Sequence, residues 1–187
     1  MRKLTAGLFI SLDGVTEAPD TWHFPYGNDE MWSAVGRSIE ASDAMLLGRV
    51  TYEEWAVYWP DKTAEDDPFA GYINSVQKYV VSNTLERADW ANSTLVTGDV
   101  AARVKGLKEQ TGKNIAMSGS VSTVRWLLTE GLLDELDLLV HPIVVGKGSK
   151  LFVDDMPQVP LRLAHSATFS TGVVHLTYVP ASTTEGA

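Results

Sequence analysis

The stretch LLGRVTYEEW, residues 46–55, decides the fold. A short apolar run ends at Gly48, and Arg49 and Thr51 follow at the start of a helical pattern over residues 50–58. A short run of apolar residues is typical of a parallel strand that is covered on both faces. The stretch therefore predicts a strand-to-helix junction. The free N–H groups of a helix amino end, beside a guanidinium and a hydroxyl, favour an anionic ligand there.

Strand and helix patterns alternate on both sides of this junction. Residues 4–10 are apolar at every second position, as in a strand buried on one face, and the chain closes with a hairpin pattern about residues 170–172. The predicted strands are 4–10, 44–48, 78–82, 94–98, one from 114, 136–146 and the two of the hairpin, and the predicted helices are 28–39, 50–58, a short one from Pro68, 100–111 and 121–130. This order predicts an α/β sandwich with eight strands in a mixed, mainly parallel sheet, which binds ligands at the carboxyl ends of its strands.

The composition is that of one globular domain, predicted over residues 1–180, with a frayed tail at 181–187. The formal net charge of −9 makes nucleic acid and anionic membranes unfavourable partners. The chain has no cysteine, which excludes disulfides and thiolate chemistry. The opening residues lack the cleavage site of a secretory signal, and no apolar run is long enough to cross a bilayer. A cytoplasmic location is therefore expected.

Two further strand ends carry small polar residues, Ser82-Asn83-Thr84 and Ser118-Gly119-Ser120-Val121. Taken singly, each of these is an ordinary turn or cap sequence. Three such junctions on one sheet edge, one of them with an arginine, favour an extended phosphate ligand such as a dinucleotide.

The sequence lacks the motifs that would indicate other kinds of nucleotide-binding or catalytic site. It contains no G-x-G-x-x-G and no G-x-S-x-G, and VVGKGSK lacks the upstream glycine of a P-loop because His141 stands there. The four histidines show no metal-ligand spacing, so no metal site is predicted. His165 and His175 are interpreted as a cross-strand pair and His141 as a core or interface residue, whereas His23, in a loop over the proposed ligand edge, is a candidate substrate contact.

These residues together resemble the dihydrofolate reductase fold, in particular the branch that includes the reductase domain of bacterial riboflavin-biosynthesis deaminase-reductases, the RibD C-terminal domain. The resemblance rests on the GR-x-T unit and on VVSNTL, MSGSVSTVRWLL, GLFISLDGV and GLLDELDLLVHPIVVGKGSKLF, and it extends from about residue 3 to 179. It implies a three-layer sandwich whose eight-stranded, mainly parallel sheet ends in an antiparallel C-terminal hairpin. It also implies NADPH as the cofactor, a small-molecule substrate and a homodimer.

The resemblance assigns roles to the junction residues. Arg49 would meet the adenosine 2′-phosphate, Thr51 the pyrophosphate, and residues 119–122 would wrap the pyrophosphate from the opposite side. Residues 82–84 would lie near the adenosine, and the loop 12–15 would border the nicotinamide. The implied cofactor contacts are Leu12, Gly14, Val15, Gly48, Arg49, Val50, Thr51, Ser82, Asn83, Thr84, Ser118, Gly119, Ser120, Val121 and Ser122.

Three features depart from that family. Ser118-Gly119-Ser120 stands where the reductases commonly carry adjacent glycines, which implies a tighter backbone approach or an intervening water. The pterin enzymes of the family have a buried carboxylate two residues after a W-x-x-P loop, but here the acids after that loop are delayed to Asp29 and Glu30. Residues 56–77 carry Lys62 and several acids in place of an arginine for the folate tail. The expected substrate is therefore a small uncharged or cationic ring or carbonyl compound rather than folate.

Hydride transfer also needs a proton source, and the candidates are Asp13, Asp29 and Glu30. The structural alternatives are a loop hydrogen bond for Asp13 and favourable placement at a helix amino end for the other two. The candidate substrate contacts are Trp22, His23, Trp55 and Trp59. Two other functions stay open: a flavin-dependent oxidoreductase on the same fold, and a nucleotide-binding module without catalysis.

Overall fold

The computed structural model describes residues 1–181, and the predicted tail beyond Ala181 lies outside them. The strands are β1 (Leu4–Ser11), β2 (Ser42–Gly48), β3 (Gln77–Val81), β4 (Ser93–Val96), β5 (Asn114–Ser118), β6 (Glu135–His141), β7 (Leu161–Thr168) and β8 (Val174–Pro180). The helices are α1 (Asp29–Glu40), α2 (Arg49–Tyr58), α3 (Ala70–Ser75), α4 (Val100–Glu109) and α5 (Val121–Thr129). Two short 3-10 turns, Pro19–Thr21 and Phe24–Tyr26, follow β1.

All eight strands form one sheet in the order β4-β3-β2-β5-β1-β6-β8-β7. The pairs among β1 to β6 are parallel, whereas β8 runs antiparallel to both β6 and β7. The predicted mixed, mainly parallel sheet with a C-terminal hairpin is confirmed. The carboxyl ends of β1 to β6 and the β7–β8 turn lie along the same edge of the sheet.

Side chains alternate between the two faces of the sheet and divide its core into two layers. On one face, Leu8 of β1 and Leu46 of β2 pack with Val104 of α4 and Leu127 of α5. On the other face, α2 and α3 pack on β2 and β3, and α1 packs beside Leu139 of β6. Each fully buried aliphatic side chain contributes about 1.5–3 kcal/mol to folding. The three-layer sandwich that the resemblance implied is therefore present.

Several helix ends carry the residue types that such positions favour. Asn28 accepts a hydrogen bond from the amide of Met31 at the start of α1, and Asp99 accepts one from Ala102 at the start of α4. Gly131, with φ +64°, takes the left-handed conformation after α5, as glycine commonly does where a helix ends. Within residues 1–181, no helix is both long and apolar enough to cross a membrane.

Other element ends differ from the prediction. The strand predicted over 136–146 ends at His141, because Pro142 has no N–H and the amide of Ile143 donates back to the carbonyl of His141. The amides of Val145 and Gly146 then pair with Asp13 in the loop after β1. The helix predicted to reach residue 111 ends at Glu109. The short helix predicted to start at Pro68 begins at Ala70.

Candidate functional site

Two of the predicted junctions interlock at the centre of the sheet edge. β2 and β5 are neighbours, so the turn into α2 faces the turn into α5. The amide of Gly48 donates to the hydroxyl of Ser120 over 2.8 Å, and the amide of Ser120 donates to the hydroxyl of Thr51 over 3.1 Å. The sequence prediction that these residues lie together is consistent with this geometry.

The close approach depends on small residues. A Cβ atom on Gly48 would lie 2.7 Å from Oγ1 of Thr123, which is shorter than real contacts of this kind. Gly119 and Ser120 are both left-handed, with φ +79° and +56°. The left-handed conformation costs a serine about 1 kcal/mol relative to glycine. The hydrogen bond from Gly48 is one reason to keep a hydroxyl there, at the position where the resemblance expects a second glycine.

The amino ends of α2 and α5 differ from those of α1 and α4. In α1 and α4, a cap side chain accepts a first-turn N–H. In α2 and α5, no side chain of residues 1–181 does so. The first amides of a helix have no partner within the helix. Two sets of free N–H groups, each with the positive end of a helix dipole, therefore open on the same edge.

Arg49 is the first residue of α2. Its guanidinium lies 2.7 Å from the carboxylate of Glu53, one turn along the helix, and both side chains are nearly half exposed. An exposed pair at this spacing is worth about 0.3–0.5 kcal/mol. A phosphate can therefore replace Glu53 as the partner of the guanidinium at a small cost in free energy. The arrangement is compatible with the predicted role of Arg49.

The polar residues after β3 have structural partners. The hydroxyl of Ser82 accepts from the amides of Thr84 and Leu85 over 3.1 and 3.0 Å, which closes a tight turn. The side-chain oxygen of Asn83 accepts from the amide of Gly98 over 3.2 Å and ties the end of β3 to the end of β4. These hydrogen bonds agree with the turn interpretation of the segment. Its contact with adenosine stays a prediction.

Asp13 anchors the loop that follows β1. Its carboxylate accepts from the hydroxyl of Ser11 over 2.7 Å and from the amides of Val145 and Gly146 over 3.0 and 2.9 Å. These hydrogen bonds lower the pKa of Asp13 to about 2. The group is therefore ionised at neutral pH and holds the loop 12–15 against the segment after β6.

The other two candidate acids lie at the start of α1. Glu30 accepts from the hydroxyl and the amide of Ser170 over 2.7 and 2.8 Å, and these bonds lower the pKa of its carboxyl. Glu30 thus joins α1 to the β7–β8 turn. Asp29 is exposed. Within residues 1–181, no three His, Cys, Asp or Glu side chains are grouped so that they could hold a metal ion.

The four candidate substrate contacts fall into two groups. Trp55 and Trp59 lie on α2 with ring centroids 5.9 Å apart, and both pack against the core around Leu47. Trp22 and His23 lie between the 3-10 turns and are 7% and 5% exposed. The four candidates therefore do not form one continuous surface, and Trp32, 5.8 Å from His23 and 6.4 Å from Phe69 between ring centroids, connects the two groups.

His141 is a core residue, as interpreted from the sequence, but the sequence did not predict that Phe9 and His141 pack with His23. The ring of Phe9 is stacked on His23 at 4.5 Å, and the ring of His141 lies 6.1 Å from that of His23. Burial lowers the pKa of His23 to about 4 and also lowers the pKa of His141. Both rings are therefore neutral at pH 7. One feature of the sequence could have indicated this contact: Phe9 lies in β1 on the face opposite to the alternating apolar residues of 4–10.

Two surface grooves lie away from these residues. One runs between α2 and residues 87–91, and the other lies beside Arg125 and Lys150. Neither of these two grooves is lined by the junction residues.

Comparison with known proteins agrees with this architecture. The family model described as RibD C-terminal domain matches residues 2–175. The uncharacterized protein YyaP of Bacillus subtilis (strain 168) is 32% identical over 186 residues, which cover 95% of this chain and 94% of that protein.

Solved structures share the fold at low sequence identity. A putative riboflavin biosynthesis protein from Shewanella sp. PV-4 has a TM-score of 0.75 at 21% identity, with 97% of this chain and 100% of that chain covered. A diaminohydroxyphosphoribosylaminopyrimidine deaminase/5-amino-6-(5-phosphoribosylamino)uracil reductase from Thermotoga maritima has a TM-score of 0.66 at 15% identity, with 96% of this chain and 57% of that chain covered. The chain therefore belongs to the RibD C-terminal domain family of reductase-like domains, and it has that family's dihydrofolate reductase-like fold.

Proposed function

We propose that the chain is an NADPH-dependent reductase of a small heterocyclic or carbonyl compound other than dihydrofolate. One observation carries the proposal: α2 and α5 open without side-chain caps at neighbouring strand ends whose turns are hydrogen-bonded together. This arrangement presents free N–H groups from two helices to one ligand, which suits a pyrophosphate. Membership of a family of reductase-like domains supports the same reading.

The residues present fit NADPH. The first amides of α2 and α5 would bind the pyrophosphate, and Arg49 would exchange Glu53 for the 2′-phosphate that distinguishes NADPH from NADH. Residues 82–84 would border the adenosine and the loop 12–15 the nicotinamide. When bound, the cofactor supplies the hydride, and the chain positions it and excludes competing reactions.

The proton that accompanies the hydride does not come from Asp13 or Glu30 at neutral pH in this proposal. Hydrogen bonds lower the pKa of both carboxyls, so both are ionised there. In this proposal solvent supplies the proton.

The substrate is proposed to lack a negative tail. In the segment between α2 and α3, the ammonium of Lys62 lies 5.0 Å from the centroid of the Tyr58 ring, and several acids surround it in the sequence. An acidic surface repels an anionic substrate rather than concentrating it.

The test is a titration of the protein with NADPH and with NADH, followed by quenching of its tryptophans, for wild type and Arg49→Ala. We expect NADPH to bind more tightly than NADH, and Arg49→Ala to weaken NADPH binding by about tenfold or more. The matched control is Arg162→Ala, an exposed arginine on β7 at the far end of the sheet, which should leave both affinities unchanged.

Three other outcomes would contradict parts of the proposal. Binding of a flavin without binding of NADPH would favour the flavin-dependent alternative. Tight NADPH binding, with no acceptor that oxidises it in a screen of small heterocycles and carbonyl compounds, would favour a nucleotide-binding module. Equal affinities of wild type and Arg49→Ala would remove the 2′-phosphate role of Arg49.

A further inference from the structure

A cover segment, residues 18–27, lies across the carboxyl ends of β1 and β6 on the α1 face. It consists of the two 3-10 turns and the residues around them. Its hydrogen bonds are local: His23 donates its amide to Pro19, Tyr26 donates to His23, and the indole N–H of Trp22 donates to Glu17. Within residues 1–181, no hydrogen bond joins the cover segment to the sheet. The segment is therefore held on the sheet by side-chain packing.

The main packing contact is the ring of His23. It lies between two phenyl rings, with centroids 4.5 Å from Phe9 at an interplanar angle of 10° and 4.2 Å from Phe24 at 34°. The rings of Trp32 and His141 meet it edge to face at 5.8 and 6.1 Å. This slot, with Phe9 as floor and Phe24 as roof, has the geometry that holds a planar aromatic ligand. Its roof is exposed to solvent, since Phe24 is 62% accessible.

His141, whose ring lies beside the slot, carries a buried nitrogen without a hydrogen-bond partner among residues 1–181. Nδ1 of His141 lies 2.8 Å from the carbonyl oxygen of Leu139, and because a carbonyl can only accept, Nδ1 carries the proton of the neutral ring. Nε2 of His141 is then a lone-pair acceptor. It is enclosed and has no partner among the described residues, and the same holds for Nδ1 of His23. Buried polar atoms of this kind normally have a hydrogen-bond partner.

We infer that this slot is the substrate slot of the proposed reductase, and that His23 fills it in the closed state. A planar, uncharged heterocycle would displace the His23 ring, stack on Phe9 and donate an N–H or O–H to Nε2 of His141. The inference rests on the proposed function for the identity of the ligand as substrate. Its location agrees with that function, because His141 is in register with Ser11, directly before the loop 12–15 that is proposed to border the nicotinamide.

The slot also selects by charge. Its walls are aromatic rings and His141, which has no exposed surface. Moving a charged ring from water into such surroundings is unfavourable unless an opposite charge faces it. The expected ligand class is therefore a neutral heteroaromatic compound with one donor on its edge.

The test vacates the slot and refills it with the ring that was removed. In His23→Ala, free imidazole at about pH 8, where most of it is neutral, should bind with an affinity on the order of millimolar and raise the melting temperature of the variant. Wild type should show no such response because its slot is filled. Thiophene, a five-membered ring without an N–H, should bind His23→Ala roughly fivefold more weakly. That preference should disappear in the double variant His23→Ala/His141→Leu.

A second variant covers the case in which His23→Ala does not fold. Phe24→Ala removes the roof and leaves His23 in place, and imidazole should then displace the His23 ring, seen as loss of the ring-current shifts of its protons. If neither variant binds imidazole better than wild type, the inference is overturned. The test uses neither NADPH nor a substrate. It can therefore refute the slot without affecting the proposed cofactor site, and the NADPH titration can fail without affecting the slot.

Discussion

Lys78 of β3 is a lysine with no exposed surface. Its ammonium donates to the carbonyl oxygens of Val76 and Ala91 over 3.0 and 3.1 Å and lies 4.2 Å from the centroid of the Trp90 ring. Burial lowers the pKa of Lys78 to about 8. The side chain thus holds the turn before β3 against the segment before β4, at the cost of removing a charge from water.

Lys78→Met should keep the apolar volume and remove these hydrogen bonds. We expect the free energy of unfolding at pH 7 to fall by roughly 2–3 kcal/mol, because buried carbonyl groups lose a charged donor. Folded Lys78 releases its proton near pH 8 and unfolded lysine near 10.5, so the unfolded state binds more protons between these values. The stability of wild type relative to the variant should therefore rise between about pH 8 and about 10.5.

Urea titrations across this pH range measure that difference. Lys105→Met, an exposed position on α4, is the control and should change the free energy of unfolding at pH 7 by less than about 0.5 kcal/mol. A difference between wild type and Lys78→Met that stays constant from pH 7 to about 10.5 would contradict the burial of a titrating lysine.

At the residue scale, the sequence predicted roles whose partners are local. The caps Asn28 and Asp99 bond to amides three residues away, and both were predictable. Asp13 and Glu30 bond to amides 132 and 140 positions away, and no local pattern specifies such partners. The sequence identified the acids correctly as polar loop and helix-start residues, but the structure was needed to show what they hold.

At the element scale, the contact between the turns into α2 and α5 depends on the absence of a side chain at residue 48. Gly48→Ala would place a methyl group 2.7 Å from Oγ1 of Thr123 and 3.3 Å from Cβ of Ser120. The two turns must then separate, which should cost about 1–3 kcal/mol of stability. NADPH affinity should fall by about tenfold or more, since the free N–H groups of the two helices no longer converge.

The matched control is Gly106→Ala in the middle of α4. A Cβ atom at Gly106 meets nothing within 4 Å, so the change should stabilise the protein by roughly 0.5–1 kcal/mol through helix propensity and leave NADPH affinity unchanged. Thermal unfolding and the tryptophan-quenching titration measure both effects. Unaltered NADPH binding by Gly48→Ala would show that the close approach of the turns is not needed for the cofactor.

Periodicity predicted the elements with regular spacing and missed those without it. The alternation in residues 4–10 predicted β1, and the apolar run before Gly48 predicted β2. The two 3-10 turns of the cover segment have no repeating pattern, because each contains three residues. Their packing depends on His23, Phe9 and His141, which come from three separate parts of the chain. This is why the slot was not visible in the sequence.

At the scale of the whole molecule, no strand of residues 1–181 pairs with the outer edge of β7. Residues 162–166 are all exposed, and Leu163 is 46% accessible. The pairing of β7 with β8 shifts register between Leu163 and His165, so Ala164 is the extra residue of a bulge. Bulges discourage edge-to-edge extension of a sheet. We therefore propose that the expected homodimer packs through a face of this hairpin rather than by strand addition.

Light scattering tests this proposal with Leu163→Glu. Wild type at tens of micromolar should have about twice the mass of the 20.4 kDa chain. The variant should be a monomer. In a twofold dimer the substitution occurs once in each subunit, so the interface would bury two unpaired carboxylates. Val57→Glu, at a position of α2 that is 84% exposed, is the control and should stay dimeric. A monomeric wild type would refute the homodimer, whereas a dimeric Leu163→Glu would place the interface away from β7.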